Sequence, residues 1–287
     1  MSSYVILTDS SCDLPEKNAR EWGLSVLPLS FTIDGKTYRN MLDGSEMDNH
    51  EFYQMLRNHK TSQTAAVNSN QFIELAEPLL LEGRDILYLG FSSGLSGTYS
   101  ACAMAAEELS KKYPERKIFA VDTLCASLGQ GLLVYLCYLQ KKQGATIEQL
   151  RDYAENTKLS IAHWFTVDDL HHLKRGGRVS GAAATFGTLL HIKPVMHVDD
   201  EGHLIVMDKV RGRKRSINEI AGRLIKTATS LKTVFICHGD CLEEAETLAK
   251  LMKEAGAEDI LINPVGPVIG SHSGPGTLAV FALAEKR

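Results

Sequence analysis

Short apolar runs alternate with longer amphipathic stretches along the first half of the chain. The apolar runs are typical of buried strands, and the amphipathic stretches have helical spacing. Strands are predicted at 4–7, 25–33, 85–89 and 117–121. Helices are predicted after an N-cap at 13–16, at 48–59, at 98–112 and through the uncharged stretch 123–140. Because strands that alternate with helices need crossover connections, this half predicts a mostly parallel sheet.

The second half of the chain has a different pattern. Strand-like runs at 195–198 and 204–210 flank the acidic, Gly-containing segment 199–202, which predicts a hairpin. Helices are predicted at 213–229 and 242–255, and further strands at 163–167, 233–237, 260–262 and 278–282. The fold class is therefore α/β with two domains. Residues 1–158 would form a Rossmann-like parallel sheet, and residues 159–287 a mixed sheet covered by helices on one face.

Composition and charge narrow the class of protein. Hydrophobic residues make up 44% of the 287 residues and charged residues 23%, as in a soluble globular protein. The net charge of -4 argues against a general nucleic-acid-binding protein. The six cysteines form no CxxC pair and are predicted to be buried, reduced thiols. With no signal-peptide pattern at the start and no long apolar span, we expect a cytoplasmic protein without a membrane span.

The segment 89–99 is the strongest candidate for binding chemistry. A predicted strand ends there, a loop with three Ser and three Gly follows, and a helix begins at Thr98. Free backbone N–H groups at a helix N-terminus attract anions, and serine hydroxyls add donors. The same loop also matches GxSxG, so a serine hydrolase that uses Ser92 and His272 is an alternative. The helix begins too late after Ser92 for a nucleophile elbow, which disfavours that alternative.

Three other segments carry candidate chemistry. Residues 60–64, between two predicted helices, hold several hydroxyls that would cap a helix or bind an anion. Residues 271–276 form a predicted stiff loop that contains His272. Two basic clusters, at 174–178 and 209–215, are either solvated turns or a docking face for an acidic partner. The segment 237–241 has potential metal ligands but no second cluster to complete a site, so we predict no metal.

These motifs together resemble the DegV family, the fatty-acid-binding proteins of bacteria. The resemblance spans nearly the whole chain and rests on the order and spacing of several short motifs rather than on any one of them. They are 8–10, 60–63, 93–98, 122–123 with Gly129 and Gly131, 174–180, 193–194, and His272 with 274–276. One departure is Thr64, where Pro often follows the TSQ triplet; we expect it to affect loop stiffness more than chemistry.

The resemblance implies two α/β domains with a long-chain fatty acid between them. It places the carboxylate against Thr61 and Ser93, with His272 nearby, and includes Ser62 and Ser96 in the same motifs. Ser96 is also well placed to cap the helix that follows. The resemblance also implies that this chain has no cofactor and no catalytic residue. Several proteins of the family present the lipid to the catalytic subunit of a fatty acid kinase. The basic positions Arg175, Arg178, Arg211 and Arg213 would face that kinase.

The resemblance agrees with simple energetics. A C16 chain buries about 15 methylenes at ~0.8 kcal/mol each, roughly 12 kcal/mol before the cost of association. The tail therefore supplies the affinity, and neutral donors at the head leave the carboxylate nucleophilic. Three interpretations stay open at this point: a fatty-acid carrier, a serine hydrolase, and an enzyme domain that binds a small phosphate or sugar.

Overall fold

The computed structural model describes residues 3–168, 170–179 and 191–287. Ser180, the last residue of the 174–180 motif, lies outside these ranges. The strands are β1 Tyr4–Asp9, β2 Ser25–Leu27, β3 Ser30–Ile33, β4 Lys36–Arg39, β5 Ser62–Ala65, β6 Asp85–Gly90, β7 Ile118–Asp122, β8 Ile161–Thr166, β9 Ile192–Val198, β10 Leu204–Arg211, β11 Ala228–His238, β12 Asp259–Pro264 and β13 Leu278–Ala284. The helices are α1 Glu16–Glu21, α2 Asn49–Arg57, α3 Ser69–Leu81, α4 Thr98–Lys112, α5 Leu128–Lys142, α6 Ile147–Thr157, α7 His171–Arg175, α8 Arg213–Thr227, α9 Leu242–Glu254 and α10 Pro267–Ser273.

The sheets confirm the predicted α/β class. In the first half, four strands pair in the order β2-β1-β6-β7, and every pair is parallel. In the second half, six strands form a mixed sheet in the order β10-β9-β8-β13-β11-β12, in which only β11 and β12 are parallel. The predicted hairpin is confirmed, since β9 and β10 pair antiparallel around the turn at 199–202.

A small antiparallel sheet, β4-β3-β5, was not predicted. The predicted strand at 25–33 divides into β2 and β3, which belong to different sheets, and Pro28 lies at the break. Proline lacks the N–H that a continuous ladder would need there. Residues 62–65, expected to connect two helices, form β5 and pair with β3. Their polar composition conceals a strand that has only one buried side chain, Ser62.

Two helices also differ from the sequence prediction. Asp13 does not cap α1. It has a positive φ of 49°, and α1 begins at Glu16 with no side-chain cap. Residues 271–273, expected in a loop, form the last turn of α10. The sequence conceals this helix because it is only seven residues long, but Pro267 stands at its first position, where a missing N–H costs nothing.

The mixed sheet is covered on both faces, not on one as predicted. α8 and α9 pack on its outer face, around Ile220, Leu248 and Val280. α5 from the first half packs against β8, β11 and β13 on the inner face. One apolar core therefore crosses between the halves. Among the described residues, no helix combines the length and the apolar character that a membrane crossing needs. The domain boundary at 158–159 and the cytoplasmic location stay predictions.

Candidate functional site

An apolar cavity of about 320 Å³ lies between the two halves of the chain. Its volume falls within the range of small-molecule sites. One wall comes from Leu29, which precedes β3, from β5 and from the loop 91–97. The other comes from the inner face of the mixed sheet together with α7 and α10. The apolar residues of the described lining are Leu29, Ala65, Ala66, Phe91, Leu95, Ala126, Phe165, Leu173, Val198, Leu204, Cys237, Val265, Val268, Ile269, Ala279 and Phe281.

Thr64 and His272 form a polar pair in this lining. His272 lies near the C-terminal end of α10, and its Nε2 is 2.8 Å from the Oγ1 of Thr64 on β5. The sequence indicates Thr64 only as one of the hydroxyls of the segment 60–64, and the resemblance assigns the carboxylate contact to Thr61 instead. In the structure Thr64 supplies the hydroxyl that contacts His272. The alternation of side chains along a strand could have indicated this contact, because Ser62 and Thr64 point to the same side of β5.

His272 is held as a neutral imidazole. Burial lowers its pKa to about 4, and the positive charges of Arg178 and Arg175 act in the same direction. Its Nδ1 is buried and has no hydrogen-bond partner among the described residues. The ring fits closely against Gly176, where an added Cβ would lie 2.2 Å from Nδ1. The glycine of the 174–178 cluster therefore makes room for this histidine.

Arg178 is the charged side chain in the described lining of the cavity. Its Nε donates to the Leu95 carbonyl at 3.1 Å, and its Nη1 donates to the Gly176 carbonyl. Burial lowers the pKa of the guanidinium, since its charge has lost part of its water. The sequence predicts Arg178 on a partner-binding surface and only neutral donors at the ligand head, but the structure places this cation in the cavity lining beside His272.

The Ser/Gly loop contributes less of the cavity than predicted. Ser96 lines the cavity, and its Oγ accepts from the Thr98 N–H, the first of α4, at 3.2 Å. The N-cap position itself is Gly97, which has no side chain to cap the helix. The side chain of Ser93 is exposed and does not line the cavity, while its N–H donates to the Asp122 carboxylate at 3.2 Å. The loop therefore borders the cavity through Phe91, Leu95, Ser96 and Gly97, and not through Ser93.

Two other predicted residues lie away from the cavity. Thr61 is exposed and lines a polar surface hollow with Asp34 and Lys60. Ser62 is buried, and its Oγ accepts a hydrogen bond from the Ser271 Oγ at 2.8 Å. Ser62 thus supports α10 from behind, whereas Thr61 has no contact with the cavity wall. The structure brings together Ser96 and His272 from the predicted set and separates Thr61, Ser62 and Ser93 from them.

The geometry does not support the hydrolase alternative. Ser92 is fully buried, and its Oγ donates to the Gly202 carbonyl at 2.9 Å. His272 is engaged with Thr64 instead, so no base contacts Ser92 in the described part of the chain. Within the same ranges, no group of three or more potential ligands is placed to hold a metal ion.

The four predicted partner-binding arginines fall into two classes. Arg175 and Arg211 are exposed. Arg213 is not available to a partner, because its side chain is only 17% exposed and donates to both carboxylate oxygens of Glu244 and to the Gly276 carbonyl. The expectation that Arg213 faces a kinase is therefore wrong. The cluster at 209–215 mixes solvated cations with one that is bound within the fold.

A buried carboxyl group lies behind a second polar part of the wall. Ser127 lines the cavity and donates to Asp13, which also accepts from the Gly266 N–H at 3.0 Å. Burial raises the pKa of Asp13 to about 7. Because Gly266 immediately precedes α10, Asp13 joins the first half to the helix that carries His272. Asp9, which belongs to the 8–10 motif, is fully buried and accepts from the Tyr88 hydroxyl and from the Phe91 N–H.

Comparisons with known proteins agree on one family. A family model described as "Uncharacterised protein, DegV family" matches residues 3–285. A DegV domain-containing protein of Clostridium perfringens is 45% identical over 100% of this chain and 99% of its own length.

Solved structures give the same result for the fold. The chain is similar to a DegV family protein from Thermus thermophilus, described for its fatty acid binding. That similarity has a TM-score of 0.88, 31% identity, and coverage of 99% of this chain and 100% of the other. It is also similar to DegV, a fatty acid binding protein from Bacillus subtilis, with a TM-score of 0.85, 27% identity, and coverage of 99% and 100%.

Proposed function

The chain belongs to the DegV family, and from this premise we propose that it binds one long-chain fatty acid in the cavity between its halves. The observation that carries the proposal is the distribution of polarity in the lining. Most of the wall is aliphatic or aromatic, and one arginine lies among a few neutral polar groups. That distribution matches a ligand with a long apolar chain and a single anionic end.

The carboxylate would lie beside Arg178, Thr64 and His272. A hydrogen bond from a charged donor to a carboxylate contributes about 1.5–3 kcal/mol, more than a neutral donor does. Arg178 already donates to two backbone carbonyls, which fixes its orientation before a ligand arrives. The apolar remainder of the wall disfavours the third interpretation, a small phosphate or sugar ligand. The polar groups of such a ligand would be buried there without hydrogen-bond partners.

The first test is the lipid content of the purified protein. Mass spectrometry of an organic extract is expected to show C14–C18 fatty acid that is bound without covalent linkage. Arg178→Gln should weaken palmitate binding about 10- to 100-fold, the equivalent of one charged hydrogen bond. Arg175→Gln is the matched control, because it removes an exposed arginine three residues away and should leave the affinity unchanged. A protein that neither contains nor takes up fatty acid would refute the proposal.

We further propose that the protein is a carrier without catalytic activity of its own, which presents the carboxylate to the catalytic subunit of a fatty acid kinase. Support comes from the exposed cations Arg175 and Arg211 in a protein with a net charge of -4. Exposed cations of this kind steer an acidic partner. Arg175→Glu and Arg211→Glu are expected to keep bound lipid but to reduce acyl-phosphate formation with the kinase subunit, more so at low salt. Unchanged acyl-phosphate formation would refute the docking assignment.

A further inference from the structure

Ser92 lies outside the proposed binding site, yet its hydroxyl joins the bordering loop to the other half of the molecule. The Oγ donates to the Gly202 carbonyl at 2.9 Å and accepts from the Gly94 N–H at 3.2 Å. The Ser92 carbonyl accepts from the N–H groups of Leu95 and Ser96 at 3.1 and 3.2 Å. The loop is thus folded around Ser92 and held across the boundary between the halves.

The contact between the loop and the hairpin turn leaves little free space. An added Cβ on Gly202 would lie 2.2 Å from the Ser92 Oγ, and one on Gly94 would lie 2.8 Å from the Glu201 carbonyl oxygen. Real Cβ atoms essentially never approach so closely. A shift of the turn at 199–202 must therefore move the loop as well.

The turn itself is anchored on its other side. Arg287 donates through Nη1 to the carbonyls of Asp199 and Leu124 at 3.0 and 2.7 Å, and through Nη2 to the Lys158 carbonyl at 2.7 Å. The Gly202 N–H also donates to the Asp199 carbonyl at 3.0 Å. Ser92 is therefore bonded to a fixed turn, not to a free hairpin end.

The far end of the loop reaches the proposed carboxylate site. The Leu95 carbonyl, three residues after Ser92, accepts from the Arg178 Nε at 3.1 Å. We infer that Ser92 is a positioning residue, which holds the loop against the 199–202 turn so that the Leu95 carbonyl orients Arg178 toward the ligand head. This inference rests on the proposed function, because it requires Arg178 to meet a carboxylate.

The test measures preference for an acid over an alcohol of the same length. Palmitate and 1-hexadecanol would each displace a fluorescent fatty acid from wild type, from Ser92→Ala and from Ser93→Ala. We expect Ser92→Ala to lower the palmitate-to-hexadecanol affinity ratio about 10-fold with little change for hexadecanol, because only the acid needs an oriented guanidinium. Ser93→Ala removes an exposed hydroxyl from the next residue and should leave the ratio unchanged.

A second background shows whether Ser92 acts through Arg178. In an Arg178→Gln protein, Ser92→Ala should cause no further loss of the ratio. If Ser92→Ala does not fold, Gly94→Ala serves instead, because its Cβ pushes the loop off the turn without removing a buried hydroxyl. An unchanged ratio, or an equal loss for both ligands, would overturn the inference while the proposed function stands. Failure of wild type to bind palmitate would instead refute the proposed function, and the inference with it.

Discussion

Replacing Gly176 with alanine tests whether the position of His272 depends on the absence of a side chain opposite it. The added Cβ would lie 2.2 Å from Nδ1, 3.1 Å from Cε1 and 3.2 Å from Cγ of the imidazole. Since non-bonded heavy atoms prefer about 3.5–4.0 Å, the ring must move by roughly 1 Å. That movement would disturb the 2.8 Å contact between His272 and Thr64. We therefore expect Gly176→Ala to weaken both folding and fatty-acid binding.

The magnitude follows from two opposing effects. Overpacking of this kind typically costs about 1–3 kcal/mol. Gly176 has a negative φ of -75°, so alanine fits the backbone and should recover about 0.4–1 kcal/mol by restricting the unfolded chain. In a His272→Ala background the clash is absent, and the same substitution should be stabilising. The two backgrounds should therefore differ by about 1–3 kcal/mol.

Urea-induced unfolding of the four proteins in this cycle measures the coupling, and palmitate displacement measures its effect on binding. Gly222→Ala is a control for the glycine change alone, because its added Cβ meets nothing within 4 Å. The reasoning would be refuted if Gly176→Ala changed the free energy of unfolding equally with and without His272. In that case the backbone of the 174–178 segment, and not the ring, would be sensitive to the substitution.

Three further predictions concern single contacts. Thr64→Val should weaken palmitate binding about 3- to 10-fold in a displacement assay, because it removes the hydroxyl that contacts His272. Thr61→Val changes an exposed position in the same segment and should leave palmitate binding unchanged. If Thr61→Val weakened binding more than Thr64→Val, Thr61 would again be the predicted ligand contact. Arg213→Glu should lower the urea unfolding free energy by about 3 kcal/mol, since it would face Glu244, while the exposed Arg211→Glu should change it by less than about 0.5 kcal/mol. Lowering the pH from 7 to 4.5 should destabilise wild type more than His272→Gln. Burial lowers the pKa of His272 to about 4 in the folded state, whereas the unfolded chain protonates this histidine near pH ~6.5. Its contribution to stability is therefore complete above pH ~6.5 and is lost as the pH falls from ~6.5 toward 4. An equal pH dependence of the two proteins would show that His272 is not buried as a neutral ring.

The sequence predicted the parts of the fold that have strong periodicity. The helix Thr98–Lys112 and the hairpin around 199–202 are where the hydrophobic pattern placed them. The pattern failed where an element is short or polar, as in β5 and α10, because local composition there favours a loop and tertiary packing decides the outcome. Those two elements carry Thr64 and His272. The polar pair of the candidate site was therefore hidden in the segments that sequence periodicity describes least well.

Neighbouring residues of one segment have different surroundings in the structure, and a sequence motif does not indicate which of their side chains reach the cavity. Thr61 and Thr64 differ because Thr64 lies on a strand paired with Phe31, with its side chain toward the cavity, and Thr61 precedes that strand. Arg175 and Arg178 differ because the chain turns at Gly177, which has a φ of 71°. The sequence located the segments of the site, but backbone direction determined which hydroxyl and which cation reach the cavity.

The charge of the proposed site follows from this arrangement. Arg178 is cationic, and burial together with its field keeps His272 neutral, so the polar part of the wall carries one positive charge in the described residues. One bound carboxylate would neutralise it. A protonated His272 would leave an uncompensated buried charge beside the ligand, which is costly in an apolar wall. A neutral ligand such as a fatty alcohol would leave Arg178 uncompensated instead. Discrimination between acid and alcohol therefore tests the charge balance of the site as directly as it tests the identity of the ligand.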